Sequence, residues 1–555
     1  MVHHIVKYFA TIIILWMTSF AVVMLYTHPT LYHNTVKRNL GVSKTAAPNL
    51  EPFLGNHSQA SVTEPKVPKP CKCKSKYTDL PPIFDSQFSL PVSWRNLTNK
   101  ELLERTHPNL PINMYENSHT KWCQLLPAFN KIKWHNIYYQ PVQVSESTLF
   151  FLYSAFLDNR VVTDVHPCIR ILAYSQDVNP TAPWCHIWFN TTGPPAVSHV
   201  SRIDYLDWQP RSSERHMTFL LTCQIPKFNA HLTPLSVSVV KVPCDKRPTN
   251  LLKVIGSLER NVTTAKSSKS QNSPSLWNAA VCGPALFYYQ EDVSVQLVEW
   301  LELLRALGFA RVFLLETNVH PNIEKVLRHY EAEGFVGVTK FAYPGPYAND
   351  PFIRGLWVLL EHSKVLAMEN LYFTDCILRH MHEYRFIARL NLDEMPMLLN
   401  YDSFPHWLND QIQQHSTEGG SDEYLPPSYD LRWYYHHDDI RAPASSASLP
   451  KYLKILRQSK RAVVDVYPTN YNPTYDMDIV TGVFSNDVAI CANGKCRSKS
   501  YQCPRDVAYL GHYTKTCGDV CENPDATVEV PALLKYKDQV SSAVEEVLKK
   551  LRLTF

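Results

Sequence analysis

The chain has 555 residues, too many for one hydrophobic core, so two or three domains are expected. Its formal charge of +4 is small for this size and forms no concentrated basic stripe, which argues against nucleic acid as a partner. Glycine is scarce (16) and proline plentiful (40), an otherwise ordinary composition for a folded protein.

From the N-terminus, Tyr8 to Tyr26 contains no charged residue and includes Ile12-Ile13-Ile14-Leu15-Trp16 and Val22-Val23-Met24-Leu25. About 20 apolar residues cross a bilayer as a helix. A cleaved signal peptide has a shorter apolar region and a small-x-small site. The expectation is therefore an uncleaved transmembrane anchor at 8–26 behind a cytosolic tail at 1–7. Lys7 on one side faces Lys37, Arg38 and Lys44 on the other, so charge leaves the orientation open. The cysteines decide it: all fourteen lie downstream of the anchor. So do the acceptor sequons at Asn56, Asn96, Asn190 and Asn261. An oxidising, glycosylating lumen explains both, giving a single-pass type II protein with a luminal body.

Residues 27–119 read as a stem, rich in proline, lysine and polar residues with little periodicity. Cys71-Lys72-Cys73 lies within it, and two cysteines so close pair elsewhere or between chains, the latter giving a homodimer. From 120 to 248 short apolar runs alternate with turns, as in Thr148–Tyr153, Cys168–Tyr174, Met217–Cys223 and Leu235–Val240. This predicts a smaller, mostly β luminal module that Cys168, Cys185, Cys223 and Cys244 could staple. Residues 249–278, rich in Ser, Lys and Asn at their centre, read as a linker.

The rhythm then becomes strand and helix in alternation over 279–555. Ala280–Phe287 predicts a strand. Val293, Leu297, Trp300, Leu301, Leu304 and Leu307 share a helical face that Gly308 stops. Val312–Leu315 is a second strand, Pro321 opens a helix closed by Gly334, and Val336–Phe341 is a third strand. A helical stretch follows from about 355 to 383. This order predicts an α/β fold with a mixed, mainly parallel sheet and helices on both faces. No GxGxxG or Walker loop is present, which argues against nicotinamide and P-loop chemistry.

Phe386–Pro396 carries the most chemistry. Five of its first seven residues are apolar, as in a central strand, and Asp393 and Glu394 follow before Pro396, which is expected to stop the ladder. Acidic groups at the carboxyl end of such a strand sit where open α/β sheets bind ligands, and they can hold a divalent metal.

Four segments, Val281–Phe287, Leu297–Gly308, Leu371–Arg379 and Phe386–Pro396, resemble glycosyltransferase family 92 in order and spacing. The similarity spans about 280–515. It implies a GT-A type fold, transfer of a sugar (galactose) from a UDP-sugar donor, Mn²⁺ or Mg²⁺ as cofactor, and a Golgi membrane location. Asp393 matches the second Asp of the family's Asp-x-Asp-Glu, which implies a metal ligand on the donor diphosphate. Glu394 matches the acid after it and either orients the donor or caps the next turn. Asn391 stands where the family has its first Asp, an uncharged group that can still hydrogen-bond the donor. Leu510–Thr514 resembles the family's late His-Tyr segment and implies His512 as a further metal ligand. Asp375 either faces the donor pocket or is structural, and Cys282 and Cys376 either bridge or are buried thiols.

Within Tyr434–Asp439, adjacent side chains diverge too much to hold one ion. Asp438 or Asp439 is instead a candidate base on an acceptor loop, with Asp476, Asp478 and Asp519 equally admissible. The cysteines between Cys491 and Cys521 are expected to form disulfides. Leu533, Val540, Val544, Val547 and Leu551 mark a tail helix packed on the body. The reading is a luminal glycosyltransferase acting on glycan acceptors of glycoproteins or glycolipids. Its main rival is a glycan-binding protein on the same scaffold, weakened or inactive through Asn391, with a metal-dependent hydrolase third.

Overall fold

The computed structural model describes residues 71–77, 98–116 and 121–553, apart from 137, 161–166, 192, 208, 257–263, 266–275, 346, 348, 420–424, 439, 441, 464–469, 485–486, 493–495, 497 and 515–526. The expected tail and anchor lie outside these residues. Among the described residues no helix is long and apolar enough to cross a membrane.

Part of the expected stem is folded. Helix α1 (Asn99–Thr106) starts with a capping box: Thr98 N–H donates to the Glu101 carboxylate and Glu101 N–H donates to the Thr98 hydroxyl. Leu103, Leu110, Ile112, Met114 and Tyr115 bury themselves with Trp122, Leu125 and Leu126 in a small core. Apolar density here is enough to offset ordering, which the proline-rich composition concealed. Cys71 is bonded to Cys244 and Cys73 to Cys123. Both are used within the chain, which corrects the expected homodimer link through them.

Eight strands build the β module: β1 (Gln140–Gln143), β2 (Leu149–Asp158), β3 (Cys168–Ser175), β4 (Trp184–Phe189), β5 (Ala196–Tyr205), β6 (Met217–Gln224), β7 (Pro234–Val240) and β8 (Leu252–Ile255). Their order is β8-β7-β4-β5-β6-β3-β2-β1, and a parallel β8–β2 pairing closes the sheet on itself. Closure protects β8 and β2 from acting as open edges. The interior holds Phe150, Leu152, Ile169, Ile171, Phe219, Leu221 and Val237. Cys185 bridges to Cys223, while Cys168 is a buried free thiol. β8 falls inside the expected linker, so the module continues past residue 248; Leu252 and Val254 bury in its core.

The C-terminal domain contains β9 (Ala279–Leu286), α2 (Ser294–Ala306), β10 (Arg311–Glu316), α3 (Pro321–Ala332), β11 (Val336–Lys340), α4 (Arg354–Leu360), α5 (His362–His380), β12 (Phe386–Arg389), β13 (Glu394–Leu398), α6 (Phe404–Gly419), β14 (Ser428–His437), α7 (Lys454–Arg457), β15 (Tyr471–Asp476), β16 (Val480–Phe484), β17 (Asp487–Cys491), β18 (Ala508–Thr514) and α8 (Lys537–Leu551). Gly308 and Gly334 take positive φ of 90° and 75° where α2 and α3 end, a conformation that suits glycine.

The main sheet has the order β11-β10-β9-β12-β15-β14-β18-β13. β11, β10, β9 and β12 are mutually parallel, β15 is antiparallel to β12 and β14, and β14 and β18 are parallel neighbours. The sheet is thus mixed, with its parallel block in one half. Alternation along β9 buries Ala279 and Val281 on the face of α2, α3 and α8, and Ala280 and Cys282 on the opposite face. That opposite face is covered by α5 and by the module's Tyr153, Phe156, Leu172 and Leu220. A Cys282–Cys376 bond joins β9 to α5, and Cys491 bonds Cys496. The tail helix α8 buries Val540, Val544 and Val547.

Phe386–Pro396 is not one strand. β12 ends at Arg389, a turn follows, and β13 begins at Glu394 with Pro396 inside it, opposite Leu510. Proline is accommodated because β13 lies at the sheet's edge, where one side of the strand needs no donor.

Candidate active site

Strand direction fixes where the chemistry gathers. β12, β14 and β18 run the same way, so Asp393, Asp438 and His512 collect at the edge where these strands end. β13 starts at that edge and runs back, and its register sets Glu394 directly opposite His512.

The Asn391–Glu394 turn is closed twice. Glu394 N–H donates to the Asn391 carbonyl at 3.1 Å, and Asn391 N–H donates to Glu394 Oε2 at 2.7 Å. Asn472 Nδ2 donates to the same Oε2 at 2.5 Å, and Trp300 Nε1 donates to the Glu394 carbonyl at 3.0 Å. Glu394 is fully buried, with one oxygen committed and the other, Oε1, lying 3.6 Å from His512 Nδ1. Asp393 is different: its side chain is 44% exposed, and Oδ2 stands 3.8 Å from His512 Nε2. Tyr513 N–H donates to the Asp393 carbonyl at 2.8 Å, fixing the turn against β18.

His512 is set by stacking. Trp433 lies parallel to it at 4.3 Å between centroids, and Tyr435 meets it edge-on at 5.3 Å. Burial pulls the imidazole's pKa down, but the Glu394 and Asp393 carboxylates outweigh that and leave it raised. Desolvation by the surrounding protein raises the Asp393 carboxyl against the opposing pull of His512. Tyr288, just past β9, has its phenol pushed up by burial and by the nearby Asp393 charge.

One ligand atom each from Asp393, Glu394 and His512 fall within 4.8 Å of one another. Glu394 Oε1 and His512 Nδ1 are buried without a hydrogen-bond partner, a costly state for polar atoms. Two carboxylates and an imidazole, with orphaned atoms turned toward one another, fit a divalent cation.

Asp393 and His512, the metal ligands that the family resemblance implied, are therefore brought together with Glu394, which both closes its turn and faces the cluster. Asn391 belongs to the turn through its backbone. Asp438 shares this sheet edge: its N–H donates to the Thr514 carbonyl at 2.9 Å, and its side chain is exposed. Asp439 and Asp519 lie outside the described residues. The remaining candidates sit elsewhere. Asp375 is buried on α5 and paired with Arg379 at 2.9 Å, whose Nη2 also donates to Asn109. Asp478 pairs with Arg385 at 3.0 Å beyond Asp476, and Asp476 is in register with Phe386. Antiparallel pairing thus carries Asp478 to the end of β12 opposite Asp393. Asp476 is buried and also held by Arg385. Sequence reading missed Asn472, Trp433 and Tyr288; only Tyr288, directly after a predicted strand, carried a local signal.

No curated protein matches the chain. Among solved structures, it is similar to one described as "Crystal structure of S. aureus TarS 1-349", with 11% identity over 49% of this chain and 72% of that one. The TM-score of that likeness is 0.19. The domain that holds Asp393, Glu394 and His512 lies within residues 278–551, which match the model of glycosyltransferase family 92, and this match supports glycosyl transfer as its function.

Proposed function

We propose that the protein transfers a sugar, galactose, from a UDP-sugar to a glycan acceptor with help from a divalent cation held by Asp393, Glu394 and His512. The observation that carries this reading is the buried Glu394 Oε1, without a hydrogen-bond partner and 3.6 Å from His512 Nδ1, beside Asp393 inside the family-matched domain. A bound cation supplies positive charge against the charge that develops on a departing nucleoside diphosphate. The mixed oxygen and nitrogen donor set favours Mn²⁺ over Mg²⁺. Glu394 is oriented by the Asn391 N–H and the Asn472 amide, so its free oxygen needs no rearrangement to bind. Trp433 fixes the His512 ring plane in the same way. Asp438, exposed at the same sheet edge, is the carboxylate proposed to accept the acceptor hydroxyl's proton.

A type II Golgi membrane location, with Tyr8–Tyr26 as the anchor, belongs to this reading. Its support is five disulfides among the described residues and the sequon residue Asn190, which is exposed at the end of β4.

Incubating the purified protein with UDP-sugars, a glycan panel and Mn²⁺ tests the proposal. Release of UDP that depends on acceptor and is lost in Asp393→Ala is expected. Glycan binding without turnover of any donor contradicts it and supports the second reading, a glycan-binding scaffold, which the uncharged Asn391 favours.

A further inference from the structure

Past the end of β14 lies a cavity of about 360 Å³ lined by Asp438, Ile440, Ala442, Lys451, Lys454, Arg457 and Gln458. Its size falls within the range of small-molecule sites, about 300–1,000 Å³. It is close to the cluster: Tyr435 is in register with His512, β14 ends at His437, and Asp438 follows directly, three residues on from Tyr435. At roughly 3.3 Å per residue this is about 10 Å, the scale of a short oligosaccharide segment.

The lining sets three cations, Lys451, Lys454 and Arg457, against one carboxylate, Asp438, and so suits an anionic, hydroxyl-bearing ligand. Lys451 and Lys454 are exposed and form no ion pair among the described residues, whereas half-buried cations elsewhere in the domain, such as Arg379 and Arg385, are paired with carboxylates. Gln458 is only 5% exposed; its Nε2 donates to the carbonyls of His437 and Ile440, which leaves Oε1 buried without a partner. An orphaned amide oxygen is an acceptor for a hydroxyl group. Arg457 donates to the carbonyls of Ala447 and Leu449, which fixes it against its loop. The short helix α7 carrying Lys454 is itself anchored, because Leu456 N–H donates to the buried Glu299 at 2.9 Å.

We infer that this cavity is an acceptor subsite for a sugar bearing an anionic group, a carboxylate or a sulfate ester, which Lys451 and Lys454 hold while Gln458 accepts from a neighbouring hydroxyl. The inference rests on the transfer reading for the word acceptor, but the binding itself does not need turnover.

The test is therefore run on the full chain in EDTA without donor, by isothermal titration. A glucuronate-terminated oligosaccharide and a sulfated one are compared with their neutral glucose-terminated counterpart. Both charged probes are expected to bind at least about tenfold tighter than the neutral one at low salt. Inorganic sulfate should displace them, and 0.5 M NaCl should erase the preference. Lys451→Ala with Lys454→Ala should remove the preference while the melting temperature stays unchanged, since both residues are exposed. Lys253→Ala, on the β module, should keep it. Equal affinity for charged and neutral probes, or a preference that survives the double substitution, overturns the subsite. Absent turnover of every donor with the preference intact overturns the transfer reading and leaves the subsite standing.

Discussion

Asp158 in the β module and Asp393 in the C-terminal domain are both carboxylates at strand ends, and they are treated in opposite ways. Asp158 is buried and bound by Arg160 at 2.7 Å and Arg170 at 2.5 Å. Burial alone would raise its carboxyl, but the two guanidinium groups hold it far below the ordinary range. Arg160 also donates to the carbonyls of Met477 and Val480, so the pair ties the module to the C-terminal domain. Among the described residues no guanidinium pairs with the Asp393 oxygens, and Arg389 acts on them only through its charge; the near neighbours are another carboxylate and an imidazole, and desolvation raises the carboxyl against the pull of His512 and Arg389. A carboxylate neutralised by arginine is finished as structure, whereas one left among acids is poised to take a cation.

Substitutions should separate the two. Asp158→Ala is expected to have the largest effect, about 3–5 kcal/mol of lost stability, because it leaves buried guanidinium groups uncompensated. Chemical denaturation measures it. Asp393→Ala should barely change the denaturation midpoint, within about 0.5 kcal/mol. It should instead lower donor turnover at least about a hundredfold. A stability loss in Asp393→Ala as large as that of Asp158→Ala would erase the contrast.

Glu299 sharpens it from a third direction. Burial, its largest influence, pushes its carboxyl up to about 7 from an ordinary 4.5, despite backbone N–H groups of α7. The folded state therefore holds this proton more tightly than the unfolded chain. The stabilising contribution is complete below about 4.5 and fades as pH rises through about 7. Asp158 has the reverse sign, contributing above the unfolded carboxylate range and losing that contribution on acidification. Glu299→Gln should flatten the fall in stability between about pH 4.5 and pH 7, by on the order of 3 kcal/mol, as melting at stepped pH will show. An unchanged profile would mean that Glu299 is ionised at no such cost. The smallest effect belongs to Asn391→Asp, expected to tighten Mn²⁺ binding by less than about tenfold, since Asn391 meets the cluster through its backbone N–H.

The contrast also explains what could be read from the chain beforehand. α2 and α3 were legible because their apolar spacing and their closing Gly308 and Gly334 are local. Asp393 and Glu394 were legible because they follow an apolar strand. The register that sets His512 opposite Glu394 is a long-range property, and it came from family likeness rather than from spacing. Pro396 misled because edge position, which makes proline harmless, is not written in the strand itself. Asp375 and Asp478 stayed open in the chain because an acidic residue does not announce the arginine that will pair with it. The folded part of the expected stem was hidden for a similar reason: Leu110, Ile112 and Met114 find their partners across a disulfide-bonded loop.

The most direct test of the central claim is Mn²⁺ titration of the purified protein, followed by the electron paramagnetic resonance signal of the free ion. One Mn²⁺ is expected to bind per chain, tightened by UDP and lost in Asp393→Ala and His512→Ala. Binding of the ion with equal affinity in those variants, or no binding by the unaltered protein with UDP present, would contradict it.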